Sequence, residues 1–213
     1  MHPSLPQHLR LAATALALAA AALPAQAAGP LVYSFDSDDQ GWTVFDGGAP
    51  AFQASGGNGG GFLAITDTTG GDFLAVAPAA LAGDRSAWLG GTLAFDALNL
   101  SHEAPDWSGF GQVTLRGAGL TLVQDTIADN LPPNDGQWHR YTVPLTVAVW
   151  GADLPTVLGA LTGLAIKGEF HNGVSETVGL DDITLAPVPE PTPAALLAAG
   201  LAGLGLLARA RRR

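Results

Sequence analysis

Apolar and polar residues alternate with a period of two through the middle of the chain. In Thr92–Ala97, Leu93, Phe95 and Ala97 interleave with Thr92, Ala94 and Asp96, the pattern of a strand buried on one face. Gln112–Arg116 repeats it with Val113 and Leu115 inward. Leu164–Phe170 repeats it with Leu164, Ile166 and Phe170 on one face and Lys167 and Glu169 on the other, which predicts a surface ion pair between the last two. Leu31–Phe35, Phe62–Thr66, Phe73–Ala77, Leu120–Thr126, Trp138–Leu145 and Gly179–Leu185 are further apolar, β-branched or aromatic runs that read as strands. In Gly179–Leu185, strict alternation puts Asp181 on the face of Ile183 and Leu185, pointing inward. Gly117-Ala118-Gly119 predicts a hairpin turn. The glycine-rich stretch Gly47–Gly61 predicts a mobile loop. Asp153-Leu154-Pro155 starts a helix of one or two turns over Thr156–Leu161. Eight to ten short strands and one short helix predict an all-β chain folded as a jelly-roll β-sandwich.

The two ends break this pattern. Residues 1–27 combine Arg10, an apolar Ala/Leu run over Leu11–Leu23, the breaker Pro24 and the small-x-small sequence Ala25-Gln26-Ala27. That order predicts an export signal peptide cleaved after Ala27. At the other end, Pro189-Glu190-Pro191 precedes an uncharged Ala/Leu/Gly run, Ala194–Ala208, and then Arg209, Arg211, Arg212 and Arg213. As a helix the run reaches roughly 20–23 Å, against a hydrocarbon core of about 30 Å. Arginine snorkelling and local thinning close the gap, and the basic end faces the cytoplasm. The alternative is a C-terminal core helix, which would carry a polar face. The three parts in this order resemble the PEP-CTERM sorting signal of Gram-negative bacteria. The resemblance implies a transient inner-membrane anchor, processing by an exosortase-type transpeptidase at Pro189, Glu190 and Pro191, and a destination at the cell surface or in an exopolysaccharide-rich matrix. The expected divisions are therefore 1–27, 28–187 and 188–213.

Charge supports that division. Between Ala28 and Val188 four basic side chains (Arg85, Arg116, Arg140, Lys167) stand against eighteen Asp and Glu, that is −14. Such a domain repels nucleic acid and anionic lipid and attracts cations. With no cysteine, it relies on neither disulfides nor thiolate metal sites.

The strings Phe73–Gly83, Gly90–Phe95, Trp138–Leu145, Val157–Glu169 and Gly179–Leu185 occur in the order found in the laminin B domain, or laminin domain IV, which the chain resembles from about Phe35 to Leu185. The resemblance implies a jelly roll related to carbohydrate-binding modules, with no established catalysis.

Two sites are expected. Asp36 and Asp38 follow the first strand, and Asp181 and Asp182 lie in the last. If the terminal strands pair, the four converge on a structural calcium, an ion that takes six to eight oxygens; the alternative is solvated or amide-capped acids. Of five tryptophans, Trp107 lies in a polar loop beside His102, Glu103 and Asp106 and is the candidate for stacking on a sugar ring. Glu169 with Glu176, or Glu103 with Asp106, are the acid pairs a glycosidase reading would need; no Gly-x-Ser-x-Gly elbow or His-Glu-x-x-His spacing is present. The expected function is non-enzymatic adhesion or polysaccharide contact outside the cell. A polysaccharide-acting hydrolase and a purely structural matrix protein are the alternatives.

Overall fold

The computed structural model describes residues 29–127, 131–173, 176–188, 200–202 and 209. Residues Ala28–Val188 form one compact unit. Its strands are β1 (Leu31–Tyr33), β2 (Thr43–Phe45), β3 (Ala51–Gln53), β4 (Phe62–Thr66), β5 (Leu74–Val76), β6 (Thr92–Asn99), β7 (Val113–Gly117), β8 (Leu120–Gln124), β9 (His139–Pro144), β10 (Leu161–Lys167) and β11 (Thr177–Ala186). Two short helices, α1 (Val147–Trp150) and α2 (Leu154–Gly159), connect β9 to β10. Every paired strand is antiparallel. One sheet runs β3-β4-β11-β6-β9, with β1 also paired to β11, and the other runs β2-β5-β10-β7-β8. The architecture is the expected jelly-roll sandwich.

Alternation builds the core. Leu93, Phe95 and Ala97 of β6 and Leu63 and Ile65 of β4 meet Val113 and Leu115 of β7 and Leu164 and Ile166 of β10, all within 2% of full burial. Each such aliphatic or aromatic side chain contributes about 1.5–3 kcal/mol by leaving water. The β7–β8 turn places Ala118 at φ 51° and Gly119 at φ 75°. Positive φ at both central residues is the turn whose twist matches the flanking strands.

Two expectations on the sheets fail for physical reasons. On β11, Asp181 pairs with Asp96 of β6, but the next partners are Thr184 and Ala94. Two residues of β11, Asp182 and Ile183, thus stand opposite Phe95 alone, and Asp182 takes φ 45°. This β-bulge resets the alternation: Leu180 and Ile183 both face the core, and Asp181 sits on the outer face with Asp96. The inward Asp181 is thereby corrected.

The second correction concerns the glycine-rich stretch, which is tied down. Its first part forms β3 against β4. The rest folds over the outer face, where Trp138 Nε1 donates to the Gly56 carbonyl (3.0 Å). Asn58 donates from its backbone N to Asp181 Oδ2 and from Nδ2 to Asp96 Oδ2, both at 2.7 Å. Glycine is required for this close approach: a Cβ on Gly57 would meet Asp181 Oδ2 at 2.6 Å and also the Gly61 carbonyl.

Ala25, Ala27, Pro189, Glu190, Pro191, Arg211, Arg212 and Arg213 lie outside the described residues. Residues 200–202 and Arg209 are helical and exposed. Among the described residues no helix is long and apolar enough to cross a membrane.

Candidate functional site

Asp72, just before β5, gathers the surface site. Its Oδ1 accepts the Trp107 indole N–H at 3.0 Å, and its Oδ2 pairs with Lys167 Nζ at 2.8 Å. Lys167 also donates to the Ser108 carbonyl. Partial burial works against the charge of Asp72, but the Lys167 and Trp107 donors outweigh it and hold the carboxyl below its ordinary value.

The loop carrying Trp107 is fastened at both ends. Asn99 accepts the His102 N–H and donates to the Glu103 carbonyl. The Asp106 and Trp107 amides donate to the Phe170 carbonyl, and Asp106 pairs with His171 at 3.0 Å. The ring therefore stands 42% exposed on a fixed base. Trp42, Trp88 and Trp150 are buried, and Trp138 is half-buried.

Beside this ring lies the outer face of the five-stranded sheet. Strand register sets the row Thr43–Val76–Ala165–Thr114–Val123 across all five strands, with Phe45–Leu74–Lys167 next to it. Ala165 and Thr114 are small and sunken at the centre, whereas Phe45 (64%) and Val123 (45%) stand out at the two edges. That face is mostly apolar, with the Lys167–Asp72–Trp107 group beside it. Sequence reading found Trp107 alone. Asp72 and Lys167 gave no signal as a pair, because they are distant in sequence and meet only through β5–β10 pairing.

The predicted acid pairs resolve differently. Glu103 is exposed and Asp106 is spent on His171. Lys167 and Glu169 are both buried and do not pair on the surface, since Lys167 is bound to Asp72. Glu169 instead faces Glu176 and Asp67, with ligand oxygens within 4.8 Å of one another. Burial first, and then the neighbouring Glu176, push the Glu169 carboxyl up to about 8. The pair is enclosed, so a polysaccharide does not reach it. A cavity of about 430 Å³ between Tyr33, Gln40, Pro78, Arg85 and Trp88 has Asp84 as its one carboxylate, short of the two a glycosidase uses.

Of the four expected calcium ligands, Asp36 and Asp181 are brought to the glycine loop, Asp182 follows Asp181 at the bulge, and Asp38 stays in its own turn. Asp38 accepts the Gln40 amide in its own turn. Asp36 abuts Gly60. Asp181 accepts the amides of Asn58 and Asp182, and burial, with smaller contributions from Asp182 and Asp96, raises its carboxyl to about 6. Arg140 serves as the local cation, at 3.0 Å from Asp96 Oδ1 and 2.8 Å from the Asp182 carbonyl. These acids therefore match the amide-capped alternative more closely than a calcium cage.

Comparison with known proteins places this geometry. The L4b domain of human laminin alpha-2 superposes with TM-score 0.59 at 13% identity, over 76% of this chain and 99% of that one. The family 30 carbohydrate-binding module of a Clostridium thermocellum cellulosomal cellulase gives 0.53 at 16% identity, over 75% and 99%. An exo-β-agarase gives 0.51 at 12% identity over 79% of this chain, which spans 26% of that protein. At these identities the likeness is one of fold. No curated protein sequence matches the chain significantly. The family model for laminin B (domain IV) matches residues 75–198, more than half of the sequence, and the chain belongs to that family.

Proposed function

We propose that this protein is a non-enzymatic, exported matrix or cell-surface protein that contacts polysaccharide through the outer face of its five-stranded sheet. The observation that carries this reading is Trp107: an exposed indole, its N–H held by Asp72, beside the outer face of the five-stranded sheet. A ring whose edge is already hydrogen-bonded offers its face for stacking, and the half-exposed Asp72 carboxylate, held in place by the buried Lys167, can accept from hydroxyls. The fold shared with a carbohydrate-binding module supports the reading. The Pro-Glu-Pro, apolar and arginine segments support sorting to the surface by an exosortase-type enzyme, after a transient stay in the inner membrane.

Pull-down of the purified chain on agarose, cellulose and matrix exopolysaccharide tests this. Retention on at least one is expected, with Trp107→Ala weakening it about tenfold, equivalent to about 1.4 kcal/mol. Stability should fall by about 1–2 kcal/mol, because the indole N–H bond to Asp72 and the covered part of the ring are lost. Equal retention of the variant removes the site, and no retention on any glycan favours a purely structural matrix role. Sorting is tested separately: alanine at Pro189, Glu190 and Pro191 together is expected to leave the chain in the inner membrane, and unchanged surface delivery contradicts it.

A further inference from the structure

Asp67, Glu169 and Glu176 are 1%, 3% and 0% exposed. Asp67 directly follows β4 and Glu176 directly precedes β11. These strands pair at Thr66–Thr177, and the Asp67 amide continues the ladder by donating to the Glu176 carbonyl at 2.9 Å. Glu169 follows β10 of the opposite sheet. The three carboxylates therefore close one end of the sandwich from both layers.

Part of this group is satisfied. Asp67 Oδ1 accepts the Thr69 amide at 3.0 Å, and the Glu169 carboxylate accepts the Phe73 amide. Asp67 Oδ2, Glu169 Oε2 and both oxygens of Glu176 are buried without a protein donor, and the Glu169 and Glu176 carboxyls lie close enough to share a proton. Among the described residues no lysine, arginine or histidine pairs with any of the three. Burying even one unpaired carboxylate is costly, and a proton shared between Glu169 and Glu176 answers one charge of three.

We propose that this end of the sandwich holds a calcium ion on Asp67, Glu169 and Glu176. The donors are all oxygen, which suits a hard cation. Calcium–oxygen bonds of about 2.3–2.6 Å let two ligands on opposite sides of the ion stand up to about 5 Å apart, and the three ligand oxygens lie within 4.8 Å of one another. Calcium accepts an irregular set of carboxylates and carbonyls, whereas magnesium demands an octahedron and retains water.

The ion would do more than join the sheets. Phe170, which holds the Trp107 loop by accepting the Trp107 and Asp106 amides, is the residue after Glu169, and Asp72, which holds the indole, is the residue before Phe73, whose amide donates to Glu169. The site itself stands independently of the glycan-binding reading.

The test is thermal melting of the chelator-stripped, full-length chain with calcium chloride added back. A rise of about 5–10 °C is expected once calcium is about 100-fold above its dissociation constant. The rise should vanish in Glu176→Gln and persist in Asp181→Asn. Absence of any rise, or a rise that survives Glu176→Gln, overturns the proposal. A rise lost only in Asp181→Asn also overturns it, by putting the ion at the β11 bulge. Should Glu176→Gln fail to fold, hydrogen exchange on the wild-type chain decides. Calcium is expected to slow exchange in peptides spanning Asp67 and Glu169–Glu176, and slowing confined to those spanning Asp36 and Asp181, or none, contradicts the assignment.

Discussion

Trp42→Ala is expected to destabilise the sandwich by about 3–5 kcal/mol, the range for emptying an aromatic site in a core. Trp42 is 1% exposed. It returns on the acidic turn after β1 and packs edge-on against Tyr33 (5.4 Å between ring centres) and Phe35 (6.2 Å). Phe35 reaches this position through φ 49°, so the turn and the ring that plugs beneath it form together. The Trp42 indole N–H is buried without an acceptor. Trp42→Phe keeps most of the ring contact and removes that unpaired donor, so it should cost clearly less, about 1–2 kcal/mol. Denaturant midpoints of the two variants measure this. Equal losses would show that the indole nitrogen has a partner in solution.

Arg140→Met is expected to cost about 2–3 kcal/mol. Removing one partner of a buried ion pair costs about 3–5 kcal/mol. The Asp96 side chain is 3% exposed and the Arg140 side chain 44%, so water reaching the arginine brings the figure below that range. Adding Asp96→Asn should recover much of the loss, because the orphaned charge disappears; a double-mutant cycle reads the coupling directly. The loss should also depend on pH. Asp181, beside this pair, has a folded-state carboxyl raised to about 6 from 3.8. Its cost is absent below about pH 4, where folded and unfolded chains both carry the proton, and is fully felt above about pH 6. Without Arg140 the neighbouring acids repel one another unopposed. The variant should therefore lose more stability at pH 7 than at pH 4.5. A pH-independent difference would separate Arg140 from the acid cluster.

The sandwich was legible because period-two patterning reports burial on one face, and β4, β6, β7 and β10 each bury two or more large side chains on that face. Strands β2 and β3 were not legible: each has three residues, and Phe45 faces solvent in one while Phe52 is only half-buried in the other. The β11 bulge defeated strict alternation, since Asp181-Asp182-Ile183 reads identically with or without one extra residue. Period two also placed Glu169 on the outer face, but β10 ends at Lys167 and alternation does not extend past a strand's last ladder bond. That misplacement hid the burial of Glu169, and Asp67, the third member beside the named pair Glu169 and Glu176, gave no signal. Trp107 was legible from its polar loop, whereas the face beside it depends on the cross-strand register of five strands and is written in no single segment.

The proposed glycan contact requires Trp107 to present its face to polysaccharide. Tryptophan fluorescence of the purified chain, titrated with agarose oligosaccharides, soluble cellulose derivatives and matrix exopolysaccharide, tests it most directly, since the other four indoles are buried or half-buried. A saturable change in emission is predicted with at least one glycan and is predicted to be absent in Trp107→Phe. Binding with unchanged emission, or the same change in Trp107→Phe, would contradict it.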